Sequence, residues 1–309
     1  MEEHLTAVRR LVEGREFGSL EDLNAYLQAA LADGDGQLAA PEPRTPLERA
    51  QALIYQALES SGTRRTRLAR QALAISADCA DAYVLLAEAS EDVQEIRRLY
   101  EQGVEAGERA LGPEVFATEV GHFWGVVETR PYMRARRGLA DVLWALGERQ
   151  AAIGHLQELL RLNPGDNQGN RYPLLIWLLS VGDRDAAERL LDAYGDEVTA
   201  SWAYTRALLV FGRRGAKRQA EQALVRALEA NPFVPQYLLG AKAPPRSLPQ
   251  YVGIGDDAEA IDYVAGAYQV WFEQPDAVDW LVAVIARRLP ALMRRAERGQ
   301  ASPRSLYAP

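Results

Sequence analysis

Two short phrases, ELLRLNP and ALVRALEANP, constrain this chain more than any other feature. Each is an Ala/Leu-rich helical stretch ended by Asn-Pro. The two prolines, Pro164 and Pro232, stand 232 − 164 = 68 residues apart, which is twice 34. A helix end that recurs on such a period means one supersecondary unit repeated. A unit of that length cannot bury its own apolar stripe and must stack on its neighbours.

The positions inside the unit agree with a helical hairpin. Counting back from Pro164, Leu139 and Ala140 fall in a first helix, Gly147 in a turn, and Ala152 and Leu156 in a second helix. Counting back from Pro232, Ala220, Leu224 and Ala227 match the second helix. Small residues let the helices approach, large ones fill the gaps, and Pro stops the second helix. Period and pattern are those of the tetratricopeptide repeat. The expected fold is therefore all-α, an α-solenoid of tetratricopeptide-like helical hairpins with an inserted loop and a C-terminal helical cap.

An earlier unit ends in AISADCADAYVLLAEA, with Ala77 at the proline position. The distance 164 − 77 = 87 equals 68 + 19, so an insertion of about 19 residues interrupts the array. Its text is LGPEVFATEVGHFWGVVETR, residues 111–130. Elsewhere the apolar residues keep a helical period, as in Ala186, Ala187, Leu190, Leu191 and Tyr194. Thr45-Pro46-Leu47-Glu48 reads as a capped helix start with Pro at the first helical position. The expected organisation is N-terminal helices over 1–32, a Gly/Pro-rich linker over 33–45, repeats over 46–240, a helical cap over 241–298 and a flexible tail over 299–309.

Composition narrows the function. A formal net charge of −8 argues against nonspecific nucleic-acid binding. The one cysteine, Cys79, excludes an internal disulfide and a cysteine-based zinc site. Lys217 and Lys242 are the only lysines, which leaves almost no candidates for lysine chemistry. The opening MEEHLTAVRR does not fit a signal peptide, and PLLIWLLSV is about half of the ~20 residues that a membrane span needs. A cytoplasmic protein without membrane or nucleic-acid partners is expected.

Enzyme signatures are absent: no GxxxxGK[ST], HExxH, GxSxG or CxxC occurs. GIGDDA at 253–258 reads as a turn and helix cap rather than a dinucleotide fingerprint, because the third Gly and a preceding strand are missing. DGDG at 33–36 is not a calcium loop, since its twelfth position is Arg44. His155 is expected on an outer helix face in solvent, and His122 has no second histidine near it. No metal and no cofactor are expected.

Two regions stand out as candidate binding residues. In the insertion, His122, Trp124, Glu128 and Arg130 form a polar and aromatic set, with Phe123 and Trp124 also readable as packing residues. In a tetratricopeptide array the first helix of each pair lines the concave face. The inward register positions then hold Arg134, Arg137 and Trp144 in one repeat, Gln168 and Arg171 in the next, and Trp202 beside Arg206 in the third. Arginine makes forked contacts to carboxylates and Trp supplies rigid apolar area. The alternative is that these arginines pair with acids of neighbouring helices. The run from Asp166 to Arg171, with Asn167, Gln168 and Asn170, exceeds what a helix cap needs. It is expected to tie down the insertion or to bind a ligand backbone.

The phrases ADCADAYVLLAEA and ALEANPFVPQYLLG, with the later PPRSLPQYVGIGDDAEAIDYVA, resemble the suppressor-of-tumorigenicity-seven family. The middle block, GHFWG followed by ETRPYMRAR and LNPGDNQGNRYPLL, is similar to a bacterial tetratricopeptide group related to that family. The resemblance covers roughly residues 50–285. It implies an all-helical repeat protein without an established enzymatic activity. The eukaryotic members carry membrane-spanning segments, which this sequence does not show.

Together these readings give a non-enzymatic adaptor or scaffold. Its groove takes a protein or an extended peptide that is acidic or ends in a carboxylate. The alternative is an enzyme with a polar site built around the 111–130 insertion. A third reading has the groove filled by the chain's own N-terminal helices.

Overall fold

Residues 2–33, 42–245, 247 and 251–297 are described by the structure, a computed structural model. Most of the expected linker, residues 34–41, and the expected tail, 299–309, lie outside them. The described residues are helical or irregular, without a strand among them. They divide into two compact units on either side of the Asn170–Arg171 bond.

The first unit holds α1 (Glu2–Val12), α2 (Leu20–Asp33) and three hairpins. The hairpins are α3 (Pro46–Leu58) with α4 (Gly62–Ile75), α5 (Ala80–Glu88) with α6 (Val93–Thr118), and α7 (Arg130–Ala145) with α8 (Arg149–Leu162). The second unit holds α9 (Arg171–Ser180) with α10 (Arg184–Ala193) and α11 (Ala200–Arg214) with α12 (Arg218–Ala230). It continues with α13 (Val234–Leu238), α14 (Asp257–Glu273) and α15 (Ala277–Glu297). Helix starts recover the period: 80 − 46 = 34 and 234 − 200 = 34. Among the described residues, no helix is long and apolar enough to cross a membrane.

The local signals act as the sequence predicts. Thr45 closes a capping box with Glu48, and Pro46 occupies the first turn of α3. Asp256 caps α14 by accepting from Glu259 N at 2.8 Å, so GIGDDA is a turn and cap. Leu139, Ala140, Ala152, Leu156, Ala220, Leu224 and Ala227 are all buried. The fold class expected from the register, tetratricopeptide-like helical hairpins, is the one observed.

Two differences concern the insertion. Residues 111–118 are not loop: α6 continues through them after a break at Gly112, whose φ of 69° and ψ of 166° leave the helix before Pro113 restarts it. Only 119–129 is irregular, and it contains two 3₁₀ turns, Phe123–Gly125 and Val127–Thr129. Phe123 is fully buried against Phe116 and Tyr132, so its ring joins the end of α6 to α7. Thr129 locks the two turns by donating its hydroxyl to Phe123 O and Val126 O.

Successive hairpins of the first unit lie close together. A Cβ on Gly107 of α6 would stand 2.7 Å from Tyr132 Cβ and 3.0 Å from its Cα. Glycine is what lets α6 meet α7 there. In the second unit a buried carboxylate joins three elements. Glu259 accepts from Ala200 N (2.8 Å), Asn231 Nδ2 (2.9 Å) and Gly255 N (2.7 Å), pinning α14 to the start of α11 and the end of α12. Asn231 of the Asn-Pro signature is thus a structural residue, buried with its amide satisfied.

Candidate functional site

The first helices of the three amino-terminal hairpins, α3, α5 and α7, are joined by one chain of polar contacts. Gln51 Nε2 donates to Asp81 Oδ2 at 2.9 Å. Asp81, at the start of α5, has a side chain only 5% exposed and receives Arg134 Nε at 2.8 Å and Nη2 at 2.7 Å. The other edge of the same guanidinium holds Glu2 of α1, with Nη1–Oε1 at 2.8 Å and Nη2–Oε2 at 3.0 Å. Both forks of Arg134 are therefore filled by carboxylates, the geometry in which arginine binds them best. Burial works against the charge on Arg134, but Asp81 and Glu2 outweigh it and push its pKa up.

α1 lies across this first-helix face. Besides Glu2, its Thr6 hydroxyl is 3.3 Å from Tyr55 Oη on α3. Arg10 pairs with Glu48 of α3 at 2.8 Å, and Arg9 pairs with Glu128 of the second 3₁₀ turn. Arg130 stands 3.5 Å from Glu2, donates its Nε to Trp124 O at 3.0 Å and lies over the Trp124 ring at 4.8 Å. The self-filled arrangement is thus observed for α1 within the first unit. Beside α1 lies a solvent-open cleft of about 410 Å³, lined by Leu47 and Tyr55 of α3, Val127 and Pro131, and by charged residues that include Glu13 and Asp78.

The expected residues are distributed as follows. Arg130 and Arg134 meet at Glu2 of α1, Glu128 pairs separately with Arg9 of α1, and Trp124 lies under Arg130. His122 is exposed and takes no part. Arg137 pairs with Asp141 at 3.0 Å and donates Nη1 to Asn170 Oδ1 at 3.0 Å. Trp144 is covered by Arg149, whose guanidinium stacks 4.0 Å from its ring. The hydrogen bonds of the polar run are largely its own. It folds on itself, with Asp166 accepting from Asn170 N at 2.7 Å and Gln168 Oε1 accepting from Asn170 Nδ2 at 3.4 Å. The Asn163 amide turns back onto Asp166 and Asn167. The insertion is anchored through Gly121 N, donating to Leu162 O at 2.9 Å.

In the second unit, Arg171 is enclosed rather than presented. It donates Nη2 to Glu197 at 2.7 Å, and its guanidinium lies over the rings of Tyr172 (4.6 Å) and Tyr194 (5.2 Å). Trp202 is buried edge-on against both tyrosines and donates its indole N–H to Leu191 O at 3.4 Å. It is a packing residue of α11, not a surface one. Arg206 caps the end of α10 through Leu191 O (2.9 Å) and Asp192 (3.0 Å). His155 is a further correction. It is half-buried rather than solvated, and burial together with Arg136 pulls its pKa down to about 4.

Asp81 and Glu2 are the site residues that sequence reading missed. Asp81 carried a signal, an acid inside the apolar phrase ADCADAYVLLAEA, but an acid in the first turn of a helix is expected for the helix dipole alone. Among the described residues, no group of three His, Cys, Asp or Glu side chains is placed to hold a metal ion.

Hairpins in register, with polar residues carried on their first helices, define the class: a helical-repeat protein of tetratricopeptide type. Within that class, the chain resembles the suppressor-of-tumorigenicity-seven family. The human suppressor of tumorigenicity 7 protein-like is 30% identical over 233 residues, 67% of this chain and 40% of its own length. The Bos taurus protein of that name is 31% identical over 233 residues, 67% of this chain and 41% of its own. The Macaca fascicularis suppressor of tumorigenicity 7 protein is 29% identical over 214 residues, 60% and 39% respectively. The chain thus spans about two fifths of the curated relatives it matches. No family model matches it. Among solved structures, YrrB, described as a TPR protein with an unusual peptide-binding site, aligns at 18% identity. That alignment covers 65% of this chain and 90% of YrrB, with a TM-score of 0.41.

Proposed function

We propose that this protein is a binding module rather than an enzyme. It takes a protein or peptide segment on the face formed by α3, α5 and α7, and reads a carboxylate there with Arg134 and Arg130. The observation that supports this most is the double fork at Arg134. One edge is held by Asp81, an integral part of α5. The other is held by Glu2, a residue of a separate helix lying on the face, and is the edge that a ligand carboxylate can take. A fork at this partly exposed edge contributes about 1 kcal/mol, enough to favour a carboxylate several-fold. The finer expectation of an acidic partner follows from the same edge.

The enzyme alternative gathers no comparable support. Its polar set does not converge, because Glu128 turns to Arg9, Arg130 turns to Glu2, and His122 faces away in solvent. Among the described residues, no nucleophile and base of this set stand together with an orienting group.

The test is a calorimetric titration of the full-length chain carrying Glu2→Ala, which frees one edge of Arg134. The titrant is the acetylated peptide of residues 2–14, EEHLTAVRRLVEG. Binding is expected, and changing the first Glu of the peptide to Gln should weaken it about tenfold. No measurable binding by either peptide refutes the proposal.

A further inference from the structure

We infer that the outer side of α4 is a second recognition surface, and that it takes an acidic segment of a partner protein. It shares no residue with the α1 face and does not depend on the binding reading above.

Three observations carry it. The first is which arginines the chain leaves unengaged. The first unit has eighteen arginines. Eleven have a carboxylate within 4.0 Å, and three lie over aromatic rings. The four that remain are Arg49, Arg64, Arg67 and Arg70, and all belong to the hairpin of α3 and α4. All four are exposed. Elsewhere in the unit the chain engages its own guanidiniums, and on this hairpin it leaves them to solvent.

The second is their alignment. Arg64, Arg67 and Arg70 follow one another at axial steps of about 4.5 Å and share the solvent side of α4 with Thr63, Gln71 and Ala74. Leu68, Ala69 and Ala72 take the buried side. Arg65 turns to the edge and pairs with Glu88 of α5 at 2.6 Å. No acid occurs from Ser60 to Ala77. The outer side is therefore a stripe of three like charges about 9 Å long. Leu58, just before the turn into α4, and Ile75, its last residue, are exposed apolar side chains at the two ends of the helix, at 52% and 41%.

The third is that the stripe works against the helix that carries it. Like charges three residues apart on a helix repel one another. Cations in a first turn also oppose the helix dipole. The helices α1, α2, α3, α5 and α6 all begin with an acid in the first turn, whereas α4 has Arg64 and Arg65 there, no acid, and no side-chain cap from Ser61. A row of carboxylates laid along α4 relieves both penalties and forms forked bonds with the guanidiniums. The net charge of −8 selects among anions. An extended polyanion, such as a membrane surface or a nucleic acid, is repelled by the rest of the chain, whereas a short acidic segment senses mainly the charges within about 8–10 Å of the stripe. A polypeptide also brings apolar side chains to cover Leu58 and Ile75, which a phosphate polymer does not.

The experiment uses fluorescence anisotropy with two labelled, acetylated peptides. One is LEAAEAAEAAL, whose acids repeat at the spacing of the stripe between apolar ends, and the other is its glutamine form, LQAAQAAQAAL. Each is titrated into the intact full-length chain and into the full-length Arg64→Gln/Arg67→Gln/Arg70→Gln variant. Arg134 is intact in both chains, so the comparison isolates α4. The intact chain should bind the acidic peptide about tenfold more tightly than the glutamine peptide, and about tenfold more tightly than the variant does. Both preferences should shrink as salt is raised. The substitutions remove repulsion rather than contacts, so the urea midpoint of the variant should stay the same or rise. A lower midpoint would make these arginines structural and overturn the inference. Equal binding of the acidic peptide by the two chains, or none by the intact chain, would overturn it as well. Vesicles of anionic phospholipid and a labelled thymidine oligonucleotide are measured alongside. Tighter binding of either than of the peptide, lost in the variant, would assign the surface to a membrane or a nucleic acid and overturn the acidic protein segment.

Discussion

Arg134→Ala removes the side chain on which the whole first-helix face turns. The side chain it removes satisfies two carboxylates of very different standing. Asp81 is 5% exposed and loses two short contacts, leaving only the Gln51 amide. An uncompensated buried charge of this kind costs about 3–5 kcal/mol. Glu2 is 20% exposed and sits on a helix that can lift, so Glu2→Ala leaves Arg134 forked to Asp81 and costs about 1 kcal/mol or less. The prediction is therefore an asymmetry around one guanidinium. The pair Arg134→Met with Asp81→Asn should recover part of the loss, because it removes both buried charges together. Hydrogen exchange of the amides of α5 and α7, read by mass spectrometry, reports the opening of this unit directly. Arg134→Ala should accelerate it by roughly two to three and a half decades, and Glu2→Ala by less than about one. If Arg134→Ala costs no more than Glu2→Ala, the Asp81–Arg134 pair is not the anchor of the face and the argument fails.

Gly107→Ala should destabilise the first unit by about 1–3 kcal/mol in urea unfolding, since the new Cβ meets Tyr132 Cβ and Cα and the strain exceeds the ~1 kcal/mol gained in helix propensity; an unchanged midpoint would contradict the close packing. His155 has a folded pKa lowered from 6.5 to about 4, so the unfolded chain binds more protons between those values. Stability should accordingly fall as pH drops from about 6.5 to 4, and His155→Gln should flatten that slope in melting curves. The Cys79 thiol is buried, and burial with the nearby Asp81 charge raises its pKa to about 12. It should resist thiol reagents at pH 8 in the folded chain and react at once in denaturant; rapid labelling of the native protein would contradict its placement.

What could be read from the sequence was whatever short-range chemistry decides. The Asn-Pro register, the small residues at Ala152, Ala220 and Ala227 and the Thr45 capping box act within one hairpin, and each stands where the pattern puts it. The site was legible only in part. Arg134 followed from the inward register and Arg130 from the polar set of the insertion, but their partner Glu2 lies 132 positions away from Arg134, and no local pattern encodes such a pairing. Trp202 was misleading for a related reason. The register put it on the groove face, whereas Tyr172 and Tyr194 close over it. Arg171 was likewise taken up by Glu197, a residue of the loop that follows α10. Charged pairs between separated elements decide which arginines are engaged, and periodicity does not report them.

The separation of Glu2 from Arg134 also has a consequence for how the chain is made. At about 5–20 residues per second, 132 residues take roughly 7–26 s to synthesise. Throughout that interval the α1 segment has been synthesised while the arginine that receives it does not yet exist. Eleven residues are too few to hold a stable helix alone in water, so α1 acquires its helicity on docking. α1 is thus among the last parts of its unit to settle, and a partner present when residue 134 emerges meets a vacant seat.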